Sequence, residues 1–146
     1  MDELENVYES LGGSEVVPAS SPRTEMDFVA IIRNGLPVRS RELLIERLGA
    51  TDGKRRQLLE SFVGPPLPRQ QAGDRLKAAE SELLLRLARV IAAASDVLGS
   101  EQRASEWIFN ENQALGGAPP IRLLDTGIGF QEVMAVLHRI EHGVFS

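Results

Sequence analysis

The 146-residue chain has an ordinary globular balance, 42% hydrophobic and 25% charged, enough for one compact domain or two small ones sharing a core. It has no cysteine, which excludes disulfides and thiolate metal sites. No apolar run approaches the roughly 20 residues that span a bilayer, and the acidic opening MDELENVYES lacks the basic-plus-apolar pattern of a secretory signal. A cytoplasmic protein with no membrane partner is the expectation. The net charge of −5 is unevenly spread: residues 41–77 are net +3, whereas 1–40 and 78–146 are each net −4. A basic middle fits either a nucleic-acid surface or a solvated helical face.

Residues 1–23 include LGGSEVVPASSPR, whose Gly, Ser and Pro content predicts a flexible N-terminal arm. Thr24 opens TEMDFVAIIRNG, with Asp27 three residues on as in a capping box. Phe28, Ile31 and Ile32 share a helical face that Gly35 ends. Ser40 is the expected cap of RELLIERLG, with Leu44 and Leu48 in register and Gly49 as the stop. Thr51 or Asp52 caps GKRRQLLESF. Three short helices with tight polar connections read as a small helical bundle.

Residues 63–77 read VGPPLPRQQAGDRLK. Proline lacks the N–H and clashes one turn back, so Pro65, Pro66 and Pro68 predict no regular helix across 64–71. Residues 78–98 form the strongest helical pattern, with Leu84, Leu87, Ala88, Ile91, Ala94 and Leu98 on one stripe and Gly99 as the stop. Ser100 caps the next helix, with Trp107 and Ile108 facing inward. NQALGGAPP is a turn region, and Pro119 and Pro120 suit the first turn of a short helix, IRLLD. The last helix covers about 130–142, with Val133, Val136 or Leu137, and Ile140 inward. No segment alternates as a strand. The expected fold is all-α.

HRIEH, from His138 to His142, has the H-x-x-E-H spacing that puts two imidazoles on one helical face with Glu141 beside them. A catalytic zinc takes a third protein ligand, and none of the four following residues is a good one. The plainer reading is a helix C-terminus whose dipole meets His142. GATDGKR at 49–55 lacks the spacing and the Ser or Thr of a phosphate loop. GIG at 127–129 reads as a turn. With both histidines near the C-terminus, acid–base chemistry is poorly supplied. No cofactor, metal or catalytic residue is assigned, and the chain is not expected to be an enzyme.

The ending RIEHGVFS sets Val144 and Phe145 just past the glycine stop, beside a free carboxylate, where a soluble chain ordinarily turns polar. The blocks ALGG at 114–117, Pro120 followed by LLDT at 123–126, Gly129, and RIEHGVF at 139–145 together resemble the C-terminal toxin-binding domain of the MbcA/ParS/Xre antitoxin family. SLGG at 10–13, GLP at 35–37 and ELLLRLARV at 82–90 extend the resemblance upstream. It implies an antitoxin of a type II toxin–antitoxin pair. The implied partner is a RES-domain toxin, similar to ADP-ribosyltransferases, that depletes NAD⁺ and whose active site the antitoxin blocks. The implied toxin-binding residues are Leu115, Gly116, Gly117, Leu123, Leu124, Asp125, Arg139, Glu141, His142, Gly143, Val144, Phe145 and Ser146.

The resemblance also implies a helix-turn-helix-like Xre part that forms a homodimer, within a hetero-oligomeric toxin–antitoxin complex, and binds the operon's own promoter. Candidate DNA contacts are Lys54, Arg55, Arg56, Arg69, Arg75 and Lys77 to phosphates, and Gln70 and Gln71 to bases. The chain departs from the family at Gly64, Pro65, Pro66 and Pro68, where an arginine-rich recognition helix would begin. The expected organisation is an arm at 1–23, an Xre-type bundle at 24–77, a connecting helix at 78–98 and a toxin-binding domain at 99–146. The alternative is a free-standing helix-turn-helix transcription regulator with no toxin.

Overall fold

The computed structural model describes residues 2–50, 52–64 and 74–143. Among them the regular structure is helical: α1 (Glu3–Ser10), α2 (Asp27–Asn34), α3 (Val38–Leu48), α4 (Gly53–Val63), α5 (Ala78–Leu98), α6 (Glu101–Phe109) and α7 (Gly127–Glu141). Short 3-10 turns stand at Gly13–Glu15, Gln113–Leu115 and Pro120–Leu123.

The 21-residue α5 is the spine. It carries helix formers throughout, with Leu and Ala on one side and no internal Gly or Pro. Leu84, Leu87, Ala88, Val90, Ile91 and Ala94 are buried along it. Helices α1, α2, α4, α6 and α7 all pack against it. One continuous core therefore runs from Val7 to Leu137 and draws on both halves of the chain. Gly99 ends α5 in the left-handed conformation, which glycine adopts without the Cβ penalty.

The sequence places a flexible arm over 1–23, but most of that stretch is folded. Asp2 caps α1 by accepting from the Glu5 N–H at 2.8 Å, and Val7, Tyr8 and Leu11 are 1%, 3% and 1% exposed. Their i, i+1, i+4 spacing makes one apolar face, and burial of that face outweighs the chain entropy that Gly and Ser favour. The Tyr8 hydroxyl donates to the Ala19 carbonyl at 2.6 Å, tying the following loop back onto the helix. Val17 is also buried.

Two caps also differ from expectation: Met26, not Thr24, is the N-cap of α2. Pro37 is the N-cap of α3, and Ser40 lies inside the first turn, where its buried hydroxyl donates to the Leu11 carbonyl at 2.6 Å. A serine near a helix start can serve the cap or a neighbouring chain, and here the carbonyl closing α1 takes it. Asp27 accepts from the Arg23 and Thr24 N–H groups at 2.8 and 3.0 Å, as its spacing predicts, and these donors hold its carboxyl below the usual range. Asp52 caps α4 through the Arg55 N–H.

After the prolines the chain returns to GLP. Leu76 N–H donates to the Leu36 carbonyl and Val38 N–H to the Asp74 carbonyl, at 2.8 and 2.9 Å. The buried Ser81 hydroxyl accepts from the Leu36 N–H. This short clasp seats the start of α5 against the start of α3. In the second half, the Ser105 hydroxyl donates to the Leu48 carbonyl at 2.5 Å and joins α6 to the end of α3.

Candidate functional site

The loop that carries ALGG is closed on Asn112. Its side-chain oxygen accepts from the Ala114 N–H at 3.0 Å, its carbonyl accepts from the Gly117 N–H at 2.9 Å, and its own N–H donates to the Ala118 carbonyl at 3.2 Å. Leu115 is half-buried and Gly116 is exposed. Both glycines have left-handed φ, 71° and 86°. The turn faces α4 across a groove of about 480 Å³ lined by Lys54, Gln57, Glu111, Gly116, Gly117 and Arg122, among others. Lys54, a proposed DNA contact, thus shares a groove with two proposed toxin contacts.

LLDT links this loop to α7. Leu124 is fully buried, so its side chain belongs to the core and cannot itself meet a partner. The Arg86 guanidinium on α5 donates to the Leu124 carbonyl at 3.1 Å and pairs with Glu82 at 3.5 Å. Leu123 is half-buried and Asp125 exposed. Thr126 caps α7 by accepting from the Gly129 N–H at 2.9 Å. The helix therefore begins at Gly127, and GIG forms its first turn. The signal was present in the sequence: Thr126 followed three residues on by the N–H it accepts, with apolar spacing starting at Phe130.

At the other end of α7, Arg139 is half-buried and Glu141, His142 and Gly143 are exposed. The His138 and His142 rings lie 4.3 Å apart at 64°, one above the other as i, i+4 residues should be. Among the described residues, no third His, Asp or Glu joins them in a metal-binding group. A groove of about 300 Å³ runs beside this end, lined by Glu3, Asn6, Asp96, Met134, His138 and Glu141, among others. The ALGG turn and the end of α7 thus line different grooves. Val144, Phe145 and Ser146 lie outside the described residues.

The basic candidates separate. Lys54 and Arg56 are exposed in the first turn of α4. Arg55 is committed inward: its guanidinium sits 5.6 Å from the Phe109 ring centroid and 3.4 Å from Asp52. Arg75 donates to the Gly35 carbonyl at 3.3 Å within the clasp. Lys77 leads into α5, its N–H held by Glu80 at 3.1 Å. Arg69, Gln70 and Gln71 lie outside the described residues, as do the three prolines.

Sequence reasoning missed Phe109, 2% exposed, which fills the core beside the half-buried Trp107. It also missed Arg89, which pairs with Glu25 and lies 5.9 Å from the Phe130 ring centroid, linking the approach to α2 with α7. No local pattern announces either contact.

Residues 93–143 match the family described as the antitoxin Xre/MbcA/ParS C-terminal toxin-binding domain. A protein named Antitoxin Xre from Yersinia enterocolitica serotype O:8 / biotype 1B is 39% identical over 82 residues, 55% of this chain and 55% of that relative. A second Antitoxin Xre, from Photorhabdus laumondii subsp. laumondii, is 37% identical over 70 residues, 47% of each chain. The chain spans about half the length of these curated relatives.

Proposed function

We propose that the chain, whose residues 93–143 match the antitoxin Xre/MbcA/ParS C-terminal toxin-binding domain, is an antitoxin of that family and binds and silences a RES-type, NAD⁺-degrading toxin by covering its active site. The match of residues 93–143 to a toxin-binding domain carries this reading. Its residues are disposed to suit the role. Leu115, Gly116, Gly117, Asp125, Arg139, Glu141, His142 and Gly143 all keep surface open to a partner. They sit on a loop closed by Asn112 and on a capped helix, so little order remains to be gained on binding. Val144 and Phe145 follow directly and supply the apolar anchor from which interface energy usually comes. Neutralisation is steric, and the chain itself performs no chemistry.

A second part of the proposal is autoregulation. A homodimer within the toxin–antitoxin complex binds the operon's own promoter, with Lys54 and Arg56 contacting phosphates. Both are exposed at the start of α4, where the helix dipole adds to their positive charge. Arg55 is left out of this surface because its guanidinium is already engaged.

The test is to induce the adjacent reading frame with and without this chain, following growth and cellular NAD⁺. Collapse of NAD⁺ with the neighbour alone, and rescue on co-expression, is the expected result. Toxicity that this chain does not relieve would remove the antitoxin reading.

A further inference from the structure

Ile128 is 80% exposed, the barest of the two large apolar side chains that the described residues leave in solvent. It stands second in α7, between two glycines of different kinds. Gly129 has an internal reason to lack a side chain, because a Cβ there would lie 1.8 Å from the Leu123 carbonyl oxygen. Gly127 has no such reason. Its φ is not left-handed, and a Cβ there would meet nothing within 4 Å. Neither a left-handed φ nor a close contact among the described residues therefore calls for glycine at this first position of α7. Bare backbone therefore adjoins a bare isoleucine.

A single exposed apolar side chain is ordinary; the position of this one is not. At about 100° per residue, Ile128, Glu132, Ala135, Arg139 and His142 fall on one stripe down the outer face of α7, about 21 Å long. Val133 and Leu137 occupy the opposite face and Val136 the flank, and all three are buried. The far end of the stripe is formed by Arg139 and His142, already proposed as toxin contacts.

We propose that Gly127 and Ile128 are the near end of the toxin-binding face. The toxin lies along the outer face of α7, seats an apolar pocket on Ile128 and approaches the backbone at Gly127. This rests on the antitoxin reading. A second copy of the chain is the poorer occupant. One isoleucine beside a glycine offers far less than the roughly 800 Å² per partner of a stable interface, and the rest of the stripe is mostly polar. The patch fits instead as one end of a longer contact that continues to residues 139–142.

The experiment compares full-length Ile128→Ser and Gly127→Gln with the unaltered chain, titrating each against the purified product of the adjacent reading frame and recording thermal melts. The unaltered chain binds. Each variant keeps the wild-type melting temperature or exceeds it, since neither side chain meets the core, and each raises Kd by about tenfold or more. Failure of the unaltered chain to bind removes the antitoxin reading and this proposal with it. Tight binding by the unaltered chain and equally tight binding by either variant overturns the α7 face alone. A variant with a lowered melting temperature shows a structural role for its position and also overturns the proposal.

Discussion

Gly129 has no room for a side chain. The Leu123 carbonyl turns toward the first turn of α7, where a Cβ would lie at 1.8 Å, far inside contact distance. Neither the capped helix nor the backbone of the Pro120–Leu123 turn can retreat cheaply. Gly129→Ala is expected to destabilise the protein by about 2–4 kcal/mol, read from the midpoint of urea unfolding. Two residues contribute to the pH response at this scale. Asp27, held below the usual carboxylate range by two backbone N–H donors, contributes stability that is full above its unfolded pKa and lost as pH falls through its lower folded value. Tyr8 is pushed the other way, by burial first and Glu9 second. Its contribution is full below the ordinary phenol value and lost as pH rises through the folded one. Thermal melts should therefore show Asp27→Asn losing part of the wild-type acid dependence, and Tyr8→Phe losing part of the alkaline dependence.

At the scale of elements, α1 is part of the core. Val7, Tyr8 and Leu11 are buried in it, and the Leu11 carbonyl depends on the Ser40 hydroxyl. Ser40→Ala leaves that buried carbonyl without its partner at a cost of about 1–3 kcal/mol. Removing residues 2–11 strips three buried apolar side chains, Val7, Tyr8 and Leu11, each worth about 1.5–3 kcal/mol. The truncated chain should unfold below the wild-type midpoint by far more than the point variant. Equal stability of the truncated and full-length chains in a denaturant titration would show α1 to be dispensable. Helix α5 extends the same argument, since five other helices rest on it. A Gly or Pro in its middle would disturb both ends of the molecule at once.

For the whole molecule, charge and surface matter more than any single contact. The exposed Lys54 and Arg56 supply the proposed promoter contact. Replacing both by Ala should weaken DNA binding about equally across sequences and lower the slope of log K against log salt by nearly 2, since each phosphate contact accounts for about 0.9. Arg55→Ala should act differently. It uncovers Phe109 and leaves Asp52 unpaired, so the loss appears in thermal stability before it appears in the salt slope. A filter-binding series at several salt concentrations, paired with melts, separates the two. The groove joining Lys54 to Gly116 and Gly117 also brings the two proposed binding surfaces into contact range of one another.

The sequence by itself determined the helical class, the span of α5, the glycine stops at 49 and 99, the cap at Ser100, a start for α4 at Thr51 or Asp52, and the resemblance that the family match over residues 93–143 answers. These are matters of local spacing and local chemistry, and a helix 78–98 with one apolar stripe has no competing arrangement. Tertiary structure decided what local rules leave open. The stretch 1–23 looked unstructured because its Gly and Ser are local facts, whereas the face that folds Val7 and Tyr8 exists only beside α5. Ser40 serves Leu11 rather than its own helix because that carbonyl arrives from 29 residues away. Leu124 stood among the surface candidates because LLDT reads as one block, yet a helical turn sends its members in different directions, Leu124 inward and Asp125 outward. Arg55 and Arg56 are adjacent in the basic run, and only the packing of α4 on Phe109 separates the one that is spent inside from the one left free to bind.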